Sequence, residues 1–444
     1  MVATSSGERV ALSDPRVKVH FPAFSGYHSD GWTLAAKWLG LHPGPALRLS
    51  RQQLERGLQN TSGRECLPLP ILIGQLLELH ENRKPGEITG FYMLRGGAPC
   101  ATDAFMDYFH HFIARQELAD LFVFSPYEDN DYAGLGLDAL ARHLAPVINV
   151  ADIMVDVEQS LRTVGSRESL AGLARHWEDF VESSTSLDAF HAGLPLLIDR
   201  LAELPRLRDP ATCPRVMVIG DFFTRFSPFF IEGVPELYAE RGILLQPAEL
   251  NELVLYAIYD GLALAAKSWG LEPGYLAAAK ACTRILQPEG KDYFNRFKAY
   301  WGGTRLEARL RKDFERTGLL VGEPSDMSLL FDEASKHISP AIYGEVIPTV
   351  GKALGAEREG YDGVLLIGPF NCLPYRISES ILKPVCQGRG VPILAYESDG
   401  YAVSPSFLRQ VDVHVQQVLE RHRSRVRRTA GCEPSVGVEQ RLAV

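Results

Sequence analysis

The chain has 444 residues, 46% hydrophobic and 23% charged, with a formal net charge of −9. That length allows two or three domains with proper cores, and the composition is that of a soluble globular protein. The acidic balance argues against nucleic acid as a partner, and no apolar run is long enough for a membrane span, since the closest, Leu253–Ala266, is interrupted by Asp260.

Residues 1–14 read as a loose polar start. MVATSSGERV lacks the apolar stretch of a secretory signal, so a cytoplasmic location is expected. Val17–Phe24 is a first strand, Gly26, His28 and Asp30 a loop, Gly31–Leu41 a helix and Ala46–Leu49 a second strand. The turn-rich QNTSGRECLPLP then places Cys66 just before an apolar helix, Ile71–His80. Strand Ile88–Leu94 runs into RGGAPCATDAF, where Cys100 follows two glycines and a proline and opens a helix ending at Glu117. Asp120–Ser125 is again a strand, and this alternation predicts βαβ units on a parallel sheet.

Asp152–Leu204 carries helical spacing and no strand signal. Arg215–Phe223, RVMVIGDFF, restarts the alternation, with helix Ile231–Arg241 and strand Ile243–Pro247 after it. Leu250–Arg316 is helical, broken at Gly270, Pro273, Pro288 and Gly302. Met327–Ala356 reads as one or two helices holding Glu345. In Asp362–Leu382, Val364–Ile367 is a buried strand, Gly368 and Pro369 stop it, and Pro374 sits where a first helical turn tolerates proline. Strand Val391–Tyr396 and helix Ser406–Arg425 close the pattern. The fold class is α/β, with two Rossmann-like parallel-sheet domains and additional helical segments. Residues 1–150 form the first α/β domain with Cys66 and Cys100, and 151–214 a helical linker or subdomain. Residues 215–425 form the second, with a helical insertion and Cys372, and 426–444 a loosely docked tail. The arginines at 421, 423, 425, 427 and 428 read as a solvated or frayed helix end.

Seven cysteines, an odd number with no CxxC pair, do not suggest a disulfide framework. Cys66, Cys100 and Cys372 share a context: each sits in a Gly/Pro-rich turn that opens a helix. At a helix N-terminus the free N–H groups favour thiolate, and in a parallel sheet such turns fall on one edge, so distant residues converge. Three converging thiolates suit an iron–sulfur cluster; with three protein ligands instead of four, one iron stays open. Zinc competes, although three cysteines without a nearby histidine fit structural zinc poorly. The other reading is a small buried residue at each turn. Cys213, Cys282 and Cys386 take that bland reading, and Cys432 lies in the tail.

Weaker signals complete the survey. Gly134-Leu-Gly136-Leu-Asp-Ala139 imitates a dinucleotide fingerprint, but no strand leads directly into it and a helix entry explains it. No GxxxxGK[ST], HExxH or GxSxG occurs, and the twelve histidines are scattered, His110 and His111 reading as surface or satisfied core residues. Asp221 and Glu345 could reach a cleft, with a structural hydrogen bond as the plainer role; Arg64 and Glu65 could bond around Cys66 and tune a cluster there. No catalytic residue is assigned.

GRECLP around Cys66, GGAPC ending at Cys100 and GPFNCLP around Cys372 resemble the 2-hydroxyacyl-CoA dehydratase and benzoyl-CoA reductase superfamily, closest to its uncharacterised branch associated with the dehydratase-activator ATPase. VMVIGDFFTRFSPF and the Gly344–Glu345 pair extend the resemblance over 17–417. It implies Rossmann-type domains gripping a 4Fe-4S or related cluster through Cys66, Cys100 and Cys372. It also implies low-potential electrons from a separate activator ATPase, reductive or dehydratase chemistry in anaerobic metabolism, and a homodimer or a heterodimer with a related subunit. The alternative is an electron-relay or scaffold subunit without its own substrate. Asn371 and Leu373 stand where such proteins often carry Gly and Met, and Ala101-Thr102-Asp103 departs after Cys100.

Overall fold

In the computed structural model, residues 1–93, 95, 100–126, 131–340, 342 and 344–429 are described. A short antiparallel pair, β1 (Val2–Ala3) and β2 (Arg9–Val10), opens the chain. β3 (Val17–His20), β4 (Ile88–Tyr92) and β5 (Leu121–Phe124) form a sheet in the order β3-β4-β5, both pairs parallel. β6 (Arg215–Gly220), β7 (Leu244–Pro247), β8 (Gly363–Pro369) and β9 (Ile393–Ser398) form a second sheet in the order β7-β6-β8-β9, again parallel throughout. The protein is α/β, with two parallel sheets flanked by helices. β8 is buried along its whole length, as a central parallel strand covered on both faces must be.

Several local expectations are corrected. Ala46–Leu49 is not a strand; only an isolated bridge, Val19 to Pro43, extends that edge. β3 stops at His20, two residues before Pro22, which has no N–H to give a ladder. The supposed loop at Gly26, His28 and Asp30 is the start of a helix, Gly26–Trp38, because Ser25 caps it: its Oγ accepts from His28 N–H. The helix Leu137–Val164 runs unbroken through residues 150 and 151. Most of its residues from Pro146 to Val164 are buried, the mark of a core helix. Gly134 ends a four-residue helix, Asp131–Gly134, and Gly136 stands at the N-cap of the long one.

The C-terminal helix, Pro405–Thr429, runs through its arginines, and Arg423, Arg427 and Arg428 are exposed, as a solvated helix end requires. Arg425 Nε and Nη2 donate to both oxygens of the fully buried Asp362, at 2.8 and 3.0 Å, and Arg421 pairs with Glu357 at 2.6 Å. Residues 430–444, with Cys432, lie outside the described residues.

The two sheets share a core. Phe222, Phe223, Phe226 and Phe230, from just after β6, pack into the cluster built on β4 and β5. Phe24 stacks on Phe222 at 6.0 Å and meets Phe223 edge-on at 5.6 Å. Among the described residues, no helix is long and apolar enough to cross a membrane.

Candidate functional site

The second sheet reverses its winding between β6 and β8. The chain leaves β6 for β7 on one side and returns to β8 on the other, so the loops after β6 and β8 part and leave a crevice at their carboxyl ends. The residues with chemistry gather there.

After β6, Gly220 has φ +105°, and a Cβ on it would lie 2.0 Å from the Ile367 carbonyl. Only glycine fits that approach, and it lets Asp221 N–H donate to Ile367 O at 2.9 Å. Asp221 Oδ1 then accepts from Thr224 N–H at 2.7 Å and Thr224 Oγ at 2.6 Å, capping the short helix Phe222–Phe226. Phe222 N–H donates to Glu345 Oε1 at 2.8 Å. Glu345 itself stands at the start of the helix Val346–Gly355. Burial pushes both carboxyls up, Glu345 well above its ordinary value, and for Glu345 the Asp221 charge adds to burial. Arg225 opposes this; it donates to Gly220 O at 2.7 Å and to Glu249 O at 3.1 Å.

After β8, Phe370 N–H donates to Ser398 O at 2.7 Å, Asn371 turns the chain at φ +60°, and Cys372 caps the helix Leu373–Gly388. The Cys66 turn is stitched onto this loop. Leu67 N–H donates to Phe370 O at 3.1 Å, and Asn371 Nδ2 donates to Arg64 O. Cys66 thus packs, from a distant part of the chain, against the buried cluster that holds Cys372. Cys372 is buried at 3% exposure, while Cys66 keeps partial exposure. The expectation that the helix N-terminus draws Cys372 toward thiolate is corrected. Its sulfur makes no capping bond, and the hydrogen bond with Cys66, then burial, push the thiol strongly up.

Cys100 precedes the helix Thr102–Arg115 and accepts from Thr102 Oγ at 3.1 Å. Burial pushes its thiol up to about 12, and the charges of Glu345 and Asp221 add to this. The same two carboxyls act on Cys372, so Cys100 and Cys372 lie within electrostatic reach of one acidic pair. Residues 96–99 of the Cys100 turn lie outside the described residues.

The remaining candidates separate. Glu65 accepts from Ser62 and Arg64 N–H groups at 2.9 and 3.1 Å, so its carboxylate shapes its own turn. Cys213 and Cys386 are buried at 1% exposure, but Cys282 is exposed, which corrects its reading as core filler. His110 and His111 are exposed. Asp221 and Glu345 do make structural hydrogen bonds, and their electrostatic action on the cysteines was not read from the sequence. The available signal was an acidic residue directly after a glycine at each site, one ending an apolar strand and one opening an apolar helix.

The donor set is three thiols with two carboxyls. Cys100, Cys372, Asp221 and Glu345 each hold their proton more tightly than in water. Bound cationic iron would reverse that balance, since it displaces protons from its ligands and favours soft sulfur. Among the described residues, no three His, Cys, Asp or Glu side chains stand close enough together to share a single ion. Soft sulfur is the donor type that iron–sulfur clusters take, and three cysteines without a histidine fit structural zinc poorly. No protein-family model and no curated protein matches this chain.

Proposed function

We propose that Cys66, Cys100 and Cys372 hold a 4Fe-4S or related iron–sulfur cluster in a cytoplasmic protein of the 2-hydroxyacyl-CoA dehydratase type. In this reading a separate activator ATPase supplies low-potential electrons, and the chain works as a dimer with itself or a related subunit. The observation that carries it is the stitching of the Cys66 turn onto the Cys372 loop, with Cys100 and Cys372 within electrostatic reach of the same two half-buried carboxyls.

When bound by three cysteines, such a cluster supplies an electron store and one iron open to a substrate oxygen. The chain's own residues do the rest. Glu345 Oε1 is taken by Phe222 N–H, so its raised carboxyl keeps the proton on Oε2, where it can be delivered to a leaving hydroxyl. Asp221 spends Oδ1 on Thr224, which holds the Phe222 amide in place for Glu345. Cys372 is buried, while Cys66 and Cys100 keep partial exposure.

Iron and acid-labile sulfide analysis with EPR on anaerobically purified protein tests the reading. About four irons per chain are expected, as a single cubane requires, and Cys372→Ser should lose the cluster signal. Iron-free, colourless wild-type protein under those conditions would end the proposal. Turnover by the isolated, reduced chain would separate an enzyme from an electron relay.

A further inference from the structure

On the opposite face of the second sheet from Cys372, three side chains form a chain of hydrogen bonds. Ser25 Oγ lies 2.7 Å from His28 Nδ1, and His28 Nε2 lies 3.1 Å from Asp152 Oδ1. His28 and Asp152 are buried at 1% and 3% exposure. Asp152 is fixed by Leu250 N–H and Asn251 N–H, each at 2.9 Å, at the N-terminus of the helix Leu250–Ser268. Both Asp152 oxygens accept from backbone amides, and with Oδ1 also accepting from His28 Nε2–H, Nδ1 is left to accept from the Ser25 hydroxyl. Ser25 also accepts from His28 N–H at 3.3 Å, as a helix cap does; that bond uses a lone pair and leaves the hydroxyl proton pointed at Nδ1.

Ser25 is not sealed in. It lines a cavity of about 220 Å³ whose walls include Val155, Val218, Leu245, Leu365, Ile367 and Phe226. Two guanidiniums line the same cavity, and each has an Nε–H that is buried without a partner: Arg225, 5% exposed, and Arg162. The Nη groups of Arg162 are already engaged by Glu158 and Glu236. A small apolar chamber with a hydroxyl on a His–Asp pair and two unspent N–H donors matches a short acyl chain carrying a carbonyl.

We propose that Ser25, His28 and Asp152 form an acyl-transfer site for short-chain acyl esters or thioesters, with the cavity holding the acyl chain and Arg225 meeting the carbonyl oxygen. Ser25 Oγ bonds to the acyl carbon as its proton passes to His28 Nδ1. The carbon–oxygen or carbon–sulfur bond to the leaving group breaks, and that proton goes to the departing alcohol or thiol. Water, deprotonated by the same nitrogen, then releases the acid and restores Ser25.

A fluorophosphonate probe on the full chain tests this, read by intact mass and peptide mapping. The site is independent of the iron–sulfur reading, because labelling is read whatever the iron content. Expected are one adduct on Ser25 and a labelling rate at least about 100-fold lower in His28→Asn. Ser25→Asn should take no adduct while keeping its melting temperature, since asparagine caps a helix as well as serine does. Absence of an adduct on Ser25 in the wild type, or wild-type labelling by folded His28→Asn, overturns the proposal. If His28→Asn does not fold, the pH dependence of wild-type labelling decides. A rise with a single imidazole-like ionisation supports the site, and a flat profile from about pH 5 to 9 overturns it.

Discussion

Cys372 occupies a position that ordinarily makes a cysteine reactive, and its surroundings make it inert. The helix after it points free N–H groups back toward the turn, but the sulfur sits in hydrogen-bond contact with Cys66 and beside the acidic pair Asp221 and Glu345. Each of these favours the protonated thiol, and together they outweigh a terminal dipole whose effect fades within one turn. Because the thiolate is the nucleophile, Cys372 and Cys100 in the iron-free protein should alkylate with iodoacetamide at least about tenfold more slowly than exposed Cys282. Timed alkylation with peptide mass spectrometry, native and denatured, checks this; equal native rates would refute it. Asn371 settles a smaller point. At φ +60° it holds a conformation that asparagine and glycine share, so its departure from the glycine of the resembled motif is tolerated by the backbone. Its amide adds the bond to Arg64 O that stitches the two cysteine turns together.

At the level of elements, the short helix Phe222–Phe226 joins the halves of the molecule. Its phenylalanines enter the core of the first sheet, while Asp221 and Phe222 N–H hold Thr224 and Glu345 on the second. A five-residue helix cannot stabilise itself, so cap and packing carry it. Asp221→Ala should therefore cost about 1 kcal/mol in urea denaturation, whereas Asp221→Asn, which still caps, should cost only a few tenths. Equal losses in the two variants would show that the charge, not the cap, matters. The C-terminal helix follows the same logic: Asp362, at the base of β8, is fully buried and takes Arg425 and His422 from that helix, so the last helix is pinned to the central strand.

Across the whole molecule, a buried acidic seam runs between the long core helix and its neighbours. Glu307, 3% exposed, is pushed up to about 7 by burial and by the charges of Asp152 and Glu252, with Lys352 opposing; burial pushes Asp156 up to about 6, with Arg311 opposing. A carboxyl whose value is higher folded than unfolded stabilises the fold while protonated. Glu307 therefore contributes fully below about pH 4.5, its ordinary value, and the contribution is lost as pH rises through about 7. Glu307→Gln keeps the shape and removes that titration. Its melting temperature should exceed the wild type's at about pH 8, and the difference should shrink toward about pH 5. Scanning calorimetry at the two pH values checks the sign; a variant less stable than wild type at the higher pH would reverse the argument.

Much of the architecture was legible because it rests on short-range patterns. Apolar runs closed by Gly or Pro marked β4, β6 and β8, and helical spacing marked the long middle segments. Legibility failed where a residue's role depends on what packs against it. Gly26 and His28 read as a loop because the Ser25 cap is a matter of hydroxyl placement. For the site, the sequence alone determined three cysteines, each at a turn before a helix. Only tertiary structure decided that the Cys66 turn is stitched onto the Cys372 loop, that Asp221 and Glu345 lie within electrostatic reach of Cys372 and Cys100, and that Ser25, His28 and Asp152 align. The reason is physical: propensity and periodicity act over a few residues, whereas proximity between distant residues is created by strand order, and strand order is set by the burial of whole sheets.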